Sequence, residues 1–286
     1  MRTIKKIHKA VAAPIGNLIT YRAIPSPTLE IGDLDPFLFL NHHGPQKYPA
    51  RNGGLPFGPH PHRGFETVTF ILEGDIMHKD TGGYESTIQA GGIQWMTAGS
   101  GLIHAEVSSD EFKAKGGDLE ILQLWLNLPG KYKMTQPHYV GLQKEDIPTL
   151  SLDAGQVNIN LISGKWETTQ APIQGLTDLL LTSIYFKGGG KLSTSVPIDN
   201  NIFLYVVRGE LTINGQKVSK LNLVEFNHDN KELNLEATTD SVILFGHAQP
   251  FQEPVIAYGP FVMNSEAEIQ EAYQDYQQGK FGVWKG

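Results

Sequence analysis

Short apolar segments alternate with turn-forming residues along most of this chain. Runs rich in Val, Ile, Thr, Phe and Leu recur between clusters of Gly, Asn and Asp, whereas the start and stop signals of helices are scarce. This pattern predicts an all-β fold. The predicted strands are 66–72, 86–89, 92–97, 119–127, 157–163, 178–186, 202–207, 210–213, 222–226 and 241–246.

Clear turn signals separate several of these strands. Glu73-Gly74-Asp75 and Thr81-Gly82-Gly83 are two of them. Asn214-Gly215 is the strongest, because both residues tolerate the positive φ angles of a two-residue hairpin turn. The sequence therefore predicts a β-hairpin at this point.

One helix is predicted near the C-terminus, within 264–282. Asn264 or Ser265 can cap its first turn, acidic residues follow, and Gly279 provides a stop. We interpret this segment as a structural helix that packs against a barrel. The residues predicted to face that barrel, spaced i, i+3 and i+7, are Ile269, Ala272 and Tyr276.

The chain contains two strand-rich halves that resemble each other. Residues 66–76 and 201–211 both form an apolar run that ends in Gly before a second run, which indicates a duplicated barrel or sandwich. Between the halves lies a stretch with three prolines and mixed charge. The predicted domains are a first domain at 1–132, a linker at 133–150, and a second domain with the helix at 151–286.

Composition excludes several classes of function. The 286 residues include no cysteine, so disulfides and thiolate metal sites are excluded and any metal must be held by nitrogen and oxygen. A formal charge of −7 without a dense basic block gives nucleic-acid binding little support. We find neither a signal-peptide core nor an apolar run of about 20 residues. We therefore predict a cytoplasmic protein that contacts neither nucleic acid nor membranes directly.

Two small clusters of ligand-type side chains stand out between residues 57 and 107. His60 and His62 are two apart, as are His104 and Glu106, and each cluster adjoins a glycine-bounded run of strand-forming residues. Side chains two apart on a strand share a face, so two adjacent strands can bring all four groups to one point. This is the geometry of a mononuclear metal site.

The ligand types limit the identity of the ion without fixing it. Three neutral imidazoles and one carboxylate suit a divalent first-row metal and leave two positions of an octahedral ion open. The same ligands would close the shell of a four-coordinate zinc ion, which would then be structural. Iron, manganese, nickel, copper and zinc all stay eligible.

Glu66 is an alternative carboxylate for this site. It has the same strand parity as His60 and His62, so pleating alone makes it as eligible as Glu106. We predict that Arg63 pairs with a carboxylate such as Glu66. We also interpret the pair His42-His43 as part of a turn.

The second half lacks the paired histidines. Aligning the two copies on the glycine that ends each run puts Ser195 and Pro197 where His60 and His62 stand. The metal is therefore predicted only in the first half. The histidines of the second half that follow no such pattern, and that we interpret as surface or core residues, are His228 and His247.

Four segments closely resemble the pirin family of the cupin superfamily. They are HPHRGFETVTFILEG (60–74), QWMTAGSGLIHAE (94–106), LQLWLNLP (122–129) and EPVIAYGPFVMNSEAEI (253–269). The resemblance implies two tandem cupin-type β-barrels, of which only the first holds a metal. By position, the family's ligands fall on His60, His62, His104 and Glu106, which favours Glu106 over Glu66.

Several pirins resemble quercetin 2,3-dioxygenases, and this implies a reaction. One divalent transition metal, Fe(II) first and Mn, Ni, Cu, Co or Zn as alternatives, would support opening of a flavonol ring by O2 with release of carbon monoxide. Glu106 would be catalytic, taking the proton of the flavonol 3-hydroxyl. Candidates for the apolar pocket wall are Phe57, Phe65, Trp95, Met96 and Trp125.

The resemblance also implies an alternative function. Eukaryotic pirins resemble iron-dependent cofactors of transcription factors, in which the metal is a redox sensor and the surface binds a regulatory protein partner. A third reading is a structural metal in a small-molecule-binding barrel. At this point enzyme and regulator both stay open, and we expect a monomer.

Overall fold

The computed structural model describes residues 1–285, and the chain there forms two compact units. Barrel 1 comprises Ala12–Ile24, Phe37–Glu145 and the residues from Phe251 onward, and barrel 2 comprises Met1–Val11, Pro25–Pro36 and Asp146–Pro250. Each unit is thus assembled from separate stretches. The domain limits predicted from the sequence are consecutive ranges, and they remain a prediction of which stretches fold on their own.

Strands account for most of both units. The strands up to residue 145 are β1 (Ile4–Lys9), β2 (Val11–Ala12), β3 (Thr20–Ile24), β4 (Phe37–Tyr48), β5 (Phe57–His62), β6 (Phe65–Glu73), β7 (Asp75–Asp80), β8 (Glu85–Gln89), β9 (Ile93–Thr97), β10 (Leu102–Val107), β11 (Gly117–Asn127) and β12 (His138–Leu142). The later strands are β13 (Thr149–Leu152), β14 (Val157–Ser163), β15 (Lys165–Trp166), β16 (Thr169–Gln170), β17 (Leu179–Phe186), β18 (Lys191–Ser195), β19 (Asn201–Arg208), β20 (Glu210–Ile213), β21 (Gln216–Ser219), β22 (Asn222–Phe226), β23 (Glu232–Ala237), β24 (Ser241–Ala248), β25 (Ile256–Tyr258) and β26 (Phe261–Met263). The predicted all-β fold is confirmed.

Each barrel is made of one seven-stranded and one four-stranded antiparallel sheet. Barrel 1 has the strand orders β12-β9-β6-β11-β4-β3-β2 and β5-β10-β7-β8. Barrel 2 has the orders β1-β22-β19-β24-β17-β14-β13 and β18-β23-β20-β21. The two barrels therefore repeat one topology, as the internal sequence repeat predicted.

Apolar residues from both sheets fill each barrel. In barrel 1, Ile71 and Ile121 of the large sheet pack with Ile76 and Ile88 of the small one. Strand β23 shows the corresponding pattern in barrel 2, because its residues are alternately exposed and buried. Burying these faces provides the main driving force for closing each pair of sheets.

The predicted hairpin at Asn214-Gly215 is present. It joins β20 to β21, with Ile213 opposite Gln216, and its two residues have φ angles of 47° and 85°. Two positive φ angles are the requirement of the hairpin turn that matches the twist of paired strands.

Helices are few and short. They are α1 (Asp110–Lys115), α2 (Gly130–Lys133) and α3 (Glu266–Gln277), with 3₁₀ turns at Lys144–Asp146 and Asp153–Gly155. The predicted C-terminal helix is α3, and the Ser265 hydroxyl accepts a hydrogen bond from the backbone N–H of Glu268 at its start. Within residues 1–285, none of the helices is long and apolar enough to cross a membrane.

The packing face of α3 differs from the predicted one at one position. Ile269 and Ala272 are buried as expected, but Tyr276 is 37% exposed and Asp275 is buried instead. Asp275 turns inward because Arg63 and Lys280 both bond its carboxylate. Asp275 is therefore buried by its ion pairs, although the apolar spacing of the helix predicts that this position faces solvent.

The prediction of a turn at His42-His43 is wrong. Both residues lie in β4 and are buried. His42 Nε2 lies 2.9 Å from a carboxylate oxygen of Glu120, and His43 Nδ1 lies 2.9 Å from the hydroxyl of Thr20. Histidine is not a typical strand residue, but hydrogen-bond partners on the neighbouring strands allow both side chains to be buried in the sheet.

Candidate metal centre

Strands β5 and β10 carry the histidines and lie side by side in the small sheet of barrel 1. They pair antiparallel, with His104 opposite His60 and Leu102 opposite His62. Because His60 and His62 are two apart, both face the same side of the sheet as His104. The predicted placement of the two clusters on adjacent strands is confirmed.

The three imidazoles converge. Their ring centroids lie 4.8 Å apart for His60–His62, 4.4 Å for His60–His104 and 5.0 Å for His62–His104. One ring nitrogen from each lies within 4.8 Å of the others. An ion placed among them would therefore reach all three, so this group can hold a metal.

Backbone carbonyls orient two of these rings. His60 Nδ1 lies 2.7 Å from the carbonyl oxygen of Gly58, and His62 Nδ1 lies 3.2 Å from that of Pro260. A carbonyl only accepts hydrogen bonds, so each Nδ1 carries the proton and each Nε2 keeps its lone pair. Such bonds to the second nitrogen are the usual way in which proteins fix a metal-binding histidine.

The buried nitrogens of this group lack other partners. His62 Nε2 and both ring nitrogens of His104 have no hydrogen-bond partner among residues 1–285, although both side chains are almost fully buried. A buried polar atom without a partner costs about 1–3 kcal/mol. A metal ion would use the lone pair of such a nitrogen, and the donor set therefore fits a bound divalent ion.

Burial and neighbouring imidazoles keep two of these rings, those of His62 and His104, neutral. Burial, together with the neighbouring His60, lowers the pKa of His62 to about 3. Burial and the three surrounding histidines hold the pKa of His104 well below its ordinary value. Because only a neutral imidazole can donate a lone pair, both residues are ready to bind a metal at neutral pH.

The carboxylate of Glu106 lies in a different environment. It is buried, the hydroxyl of Thr69 donates to one oxygen, and the side-chain amide of Gln123 donates to the other. It is not a member of the three-histidine group. Its roles as fourth ligand and proton acceptor stay predictions.

Glu66 remains an alternative. It lies on β6, and the Thr97 hydroxyl donates to one of its oxygens over 2.6 Å, while the second oxygen is buried without a partner within residues 1–285. Burial raises the pKa of this carboxyl. Glu66 and Glu106 are thus both buried in barrel 1. The strand parity predicted for Glu66 does not hold, because it lies on β6 of the large sheet whereas His60 and His62 lie on β5 of the small one.

Aromatic rings form one wall beside the histidines. The rings of Phe65 and Trp125 lie 5.0 Å and 5.5 Å from that of His62 and 4.4 Å from each other. Phe57 instead lies against His43. Trp95 and Met96, the other two candidates, are buried in the core. Two of the five candidate wall residues therefore contact a histidine of the group.

A fourth histidine beside the group was missed in the sequence. The ring of His78 lies 5.5 Å from that of His104 and stacks on Tyr139 at 3.9 Å. Its Nε2 lies 2.8 Å from a carboxylate oxygen of Asp80. The sequence did contain a signal for this residue. His78 and Asp80 are two apart, as are His60 and His62 and also His104 and Glu106, and they lie between two predicted turns.

Arg63 pairs with a carboxylate, as predicted, but the carboxylate is that of Asp275 and not that of Glu66. Its guanidinium donates to the carboxylate of Asp275 and to the carbonyl of Ser100, and it lies 4.7 Å from the ring centre of Phe281. Two of these partners, Asp275 and Phe281, belong to the C-terminal segment. This segment thereby fixes the backbone next to His62.

Family models match both barrels of this chain. The pirin model matches residues 18–126, and the pirin C-terminal cupin domain model matches residues 181–282. These matches confirm the resemblance to the pirin family that the sequence motifs indicated, and they confirm the predicted cupin-type fold.

Similar proteins extend over nearly the whole chain. A Pseudomonas aeruginosa protein provisionally named quercetin 2,3-dioxygenase is 35% identical over 268 residues, which cover 94% of this chain and 92% of that protein. A pirin-like protein of Caulobacter vibrioides is 38% identical, covering 89% and 90%. The crystal structure of a quercetin 2,3-dioxygenase from Acinetobacter baumannii is similar with a TM-score of 0.93 and 33% identity, covering 99% of each chain.

Proposed function

We propose that this chain, which belongs to the pirin family, is a metal-dependent dioxygenase acting on a flavonol. The observation that carries this proposal is the group of three convergent histidines beside an aromatic wall in barrel 1. Relatives that carry the name quercetin 2,3-dioxygenase support the substrate class. The reaction would convert a flavonol and O2 into a ring-opened ester and carbon monoxide.

The proposed ligands are His60, His62, His104 and Glu106, with Fe(II) as the first candidate ion. Pro260 and Gly58 support two of these ligands, because their carbonyls hold the ring tautomers that leave Nε2 free. When bound, such an ion would supply Lewis acidity to an ionised hydroxyl and redox contact with dioxygen.

The side chains around the histidines would bind and deprotonate the substrate. Trp125, which is partly exposed, would offer a flat apolar surface to the flavonol rings, and the fully buried Phe65 packs against it from behind. Glu106 would accept the proton of the 3-hydroxyl, and the donors Thr69 and Gln123 would stabilise its ionised form beforehand.

The test is turnover by metal-loaded protein. We expect quercetin to disappear with release of carbon monoxide in the presence of O2, and not under argon. His62→Ala should lose bound metal, measured by mass spectrometry, together with turnover. His138→Ala is the matched control, because His138 is exposed on β12 and lies outside the histidine group.

One result would reject the enzyme in favour of the regulator. If metal-loaded protein shows no more turnover than the free ion across a panel of flavonols, dioxygenase activity is excluded. The regulatory alternative then predicts a protein partner whose affinity changes with the oxidation state of the metal. The predictions of a cytoplasmic location and of a monomer stay untested by this assay.

A further inference from the structure

Barrel 2 contains a cavity of about 430 Å³ that the proposed function does not use. This volume lies within the range of pockets that hold small organic molecules. Three of its lining side chains are Leu152, Leu180 and Leu192, and the indole of Trp166 is a fourth. These side chains form an apolar floor, from which Trp166, Leu180 and Leu192 expose only a small part of their surface.

The cavity lies on the strands that correspond to the metal-bearing strands of barrel 1. It is lined by β18 and β23, which pair in barrel 2 as β5 and β10 pair in barrel 1. A second correspondence involves His247, which also lines it. In barrel 2, His247 pairs with Ile202, and in barrel 1, Trp125 pairs with Thr67. Ile202 lies seven residues before Gly209, just as Thr67 lies seven residues before Gly74, the glycine that ends the other copy of the repeat. His247 thus occupies the position of the tryptophan beside the metal group.

Barrel 2 retains this pocket without metal ligands. Thr194 lies opposite Leu233, and Ser195 lies opposite Glu232 at the exposed edge of the pair. Within the described residues, the group of three metal-ligating side chains occurs in barrel 1. A ligand of barrel 2 would therefore be held by packing and hydrogen bonds alone.

His247 offers the cavity a defined hydrogen-bond donor. The side-chain amide of Asn200 donates to its Nδ1 over 3.0 Å. The ring proton must then be on Nε2, since an accepting Nδ1 carries none. Burial lowers the pKa of His247 to about 4, so the ring is neutral at physiological pH. Its partner in a ligand is a carbonyl or hydroxyl oxygen.

The rim of the cavity favours an uncharged ligand with a hydroxyl group. Two carboxylates, Glu167 and Glu232, and one ammonium, Lys165, line it together with serine and threonine hydroxyls. This excess of acceptors over cations disfavours an anion and suits a donating hydroxyl. Glu167 follows Trp166 directly and has a φ of 50° in the two-residue turn between β15 and β16.

We propose that barrel 2 binds, without metal, a neutral planar aromatic compound that carries a carbonyl and a hydroxyl group. The ring would pack against the accessible edge of Trp166, the carbonyl would accept from His247, and the hydroxyl would donate to Glu232. This site is independent of the flavonol chemistry proposed for barrel 1.

The experiment is a titration of the full-length protein with 7-hydroxycoumarin at pH 6.5, followed by NMR of the indole N–H groups. The chain has four tryptophans, and Trp166 is the one in barrel 2. We expect its signal to shift to saturation at sub-millimolar concentration, in wild type and equally in His62→Ala. A Trp166 signal that does not move would overturn the proposal.

Two variants separate the cavity from other binding sites. Ser195→Trp fills the rim from an exposed position and should weaken binding at least tenfold, whereas Ser219→Trp, exposed on β21 outside the cavity, should not. His247→Leu should weaken binding about tenfold through loss of one hydrogen bond. Equal affinity in Ser195→Trp and wild type, or tighter binding of coumarin-3-carboxylate than of 7-hydroxycoumarin, would reject the assignment.

Discussion

Lys133 provides a direct test of how barrel 1 holds its histidines. It lies at the end of α2, and only 1% of its surface is exposed. Its ammonium donates to the carbonyls of Gly64 and Val262 and to the side-chain oxygen of Asn127, over 2.9, 3.1 and 2.8 Å. It therefore ties the turn that follows His62 to β11 and to the C-terminal strand β26.

Lys133→Met keeps the length of the side chain and removes the donor. Each of the three acceptors would lose a hydrogen bond, and a buried polar group left unsatisfied costs about 1–3 kcal/mol. Because the variant also avoids burying an ammonium, we expect a net loss of roughly 3–5 kcal/mol in the free energy of unfolding. Metal retention should fall with it, since Gly64 is two residues from His62.

Urea unfolding of barrel 1, followed by tryptophan fluorescence, measures this loss. Lys131→Met is the matched control: Lys131 lies on the same short helix, is exposed, and should change stability by no more than about 0.5 kcal/mol. If Lys133→Met unfolds within 1 kcal/mol of the control, the reasoning from its three acceptors is refuted.

Three further predictions concern single side chains. Glu106→Ala should lower bound metal, measured by mass spectrometry, whereas Glu66→Ala should not; unchanged metal in Glu106→Ala rejects the ligand assignment. His104→Leu should stabilise metal-free protein in urea by about 1–3 kcal/mol, because it removes two buried nitrogens without partners in the described chain; a destabilised variant contradicts this. Burial lowers the pKa of His247 from 6.5 to about 4 in the folded chain. Between pH 4 and pH 6.5 the unfolded chain therefore binds a proton at this residue that the folded chain does not bind. Stability should therefore fall as pH drops from 6.5 to 4, by up to about 1.4 kcal/mol per pH unit, and an equal slope in His247→Leu would argue against it.

The sequence predicted the apolar strands far better than the strands that carry the histidines. All ten predicted strands are present, with ends that agree within two residues. Strand β5, in contrast, has the sequence FGPHPH and contains no β-branched residue. Its register with β10 is set by pairing across the sheet, which local propensity does not encode.

The partners supplied by the C-terminal segment were beyond sequence reasoning. Arg63 and Asp275 are 212 positions apart, and Pro260 lies 198 positions from His62. Proximity in the sequence suggested Glu66 as the carboxylate for Arg63, whereas the folded chain brings Asp275 to it. The motif EPVIAYGPFVMNSEAEI marked this segment as distinctive, although its role beside His62 required the folded chain.

The two barrels share a topology, but they differ in what their small sheets bury, and this difference predicts unequal dependence on metal. Barrel 1 buries His104 between neighbouring strands with neither ring nitrogen bonded in residues 1–285, whereas barrel 2 buries Leu233 and Leu235 on the corresponding strand. An ion that binds the folded histidines and not the unfolded chain stabilises barrel 1 by mass action. Chelation should therefore lower the unfolding temperature of barrel 1 and leave that of barrel 2 unchanged. Fluorine NMR of fluorotryptophan-labelled protein can follow each separately, through Trp125 in barrel 1 and Trp166 in barrel 2. Equal shifts of both signals on chelation would contradict a metal confined to barrel 1.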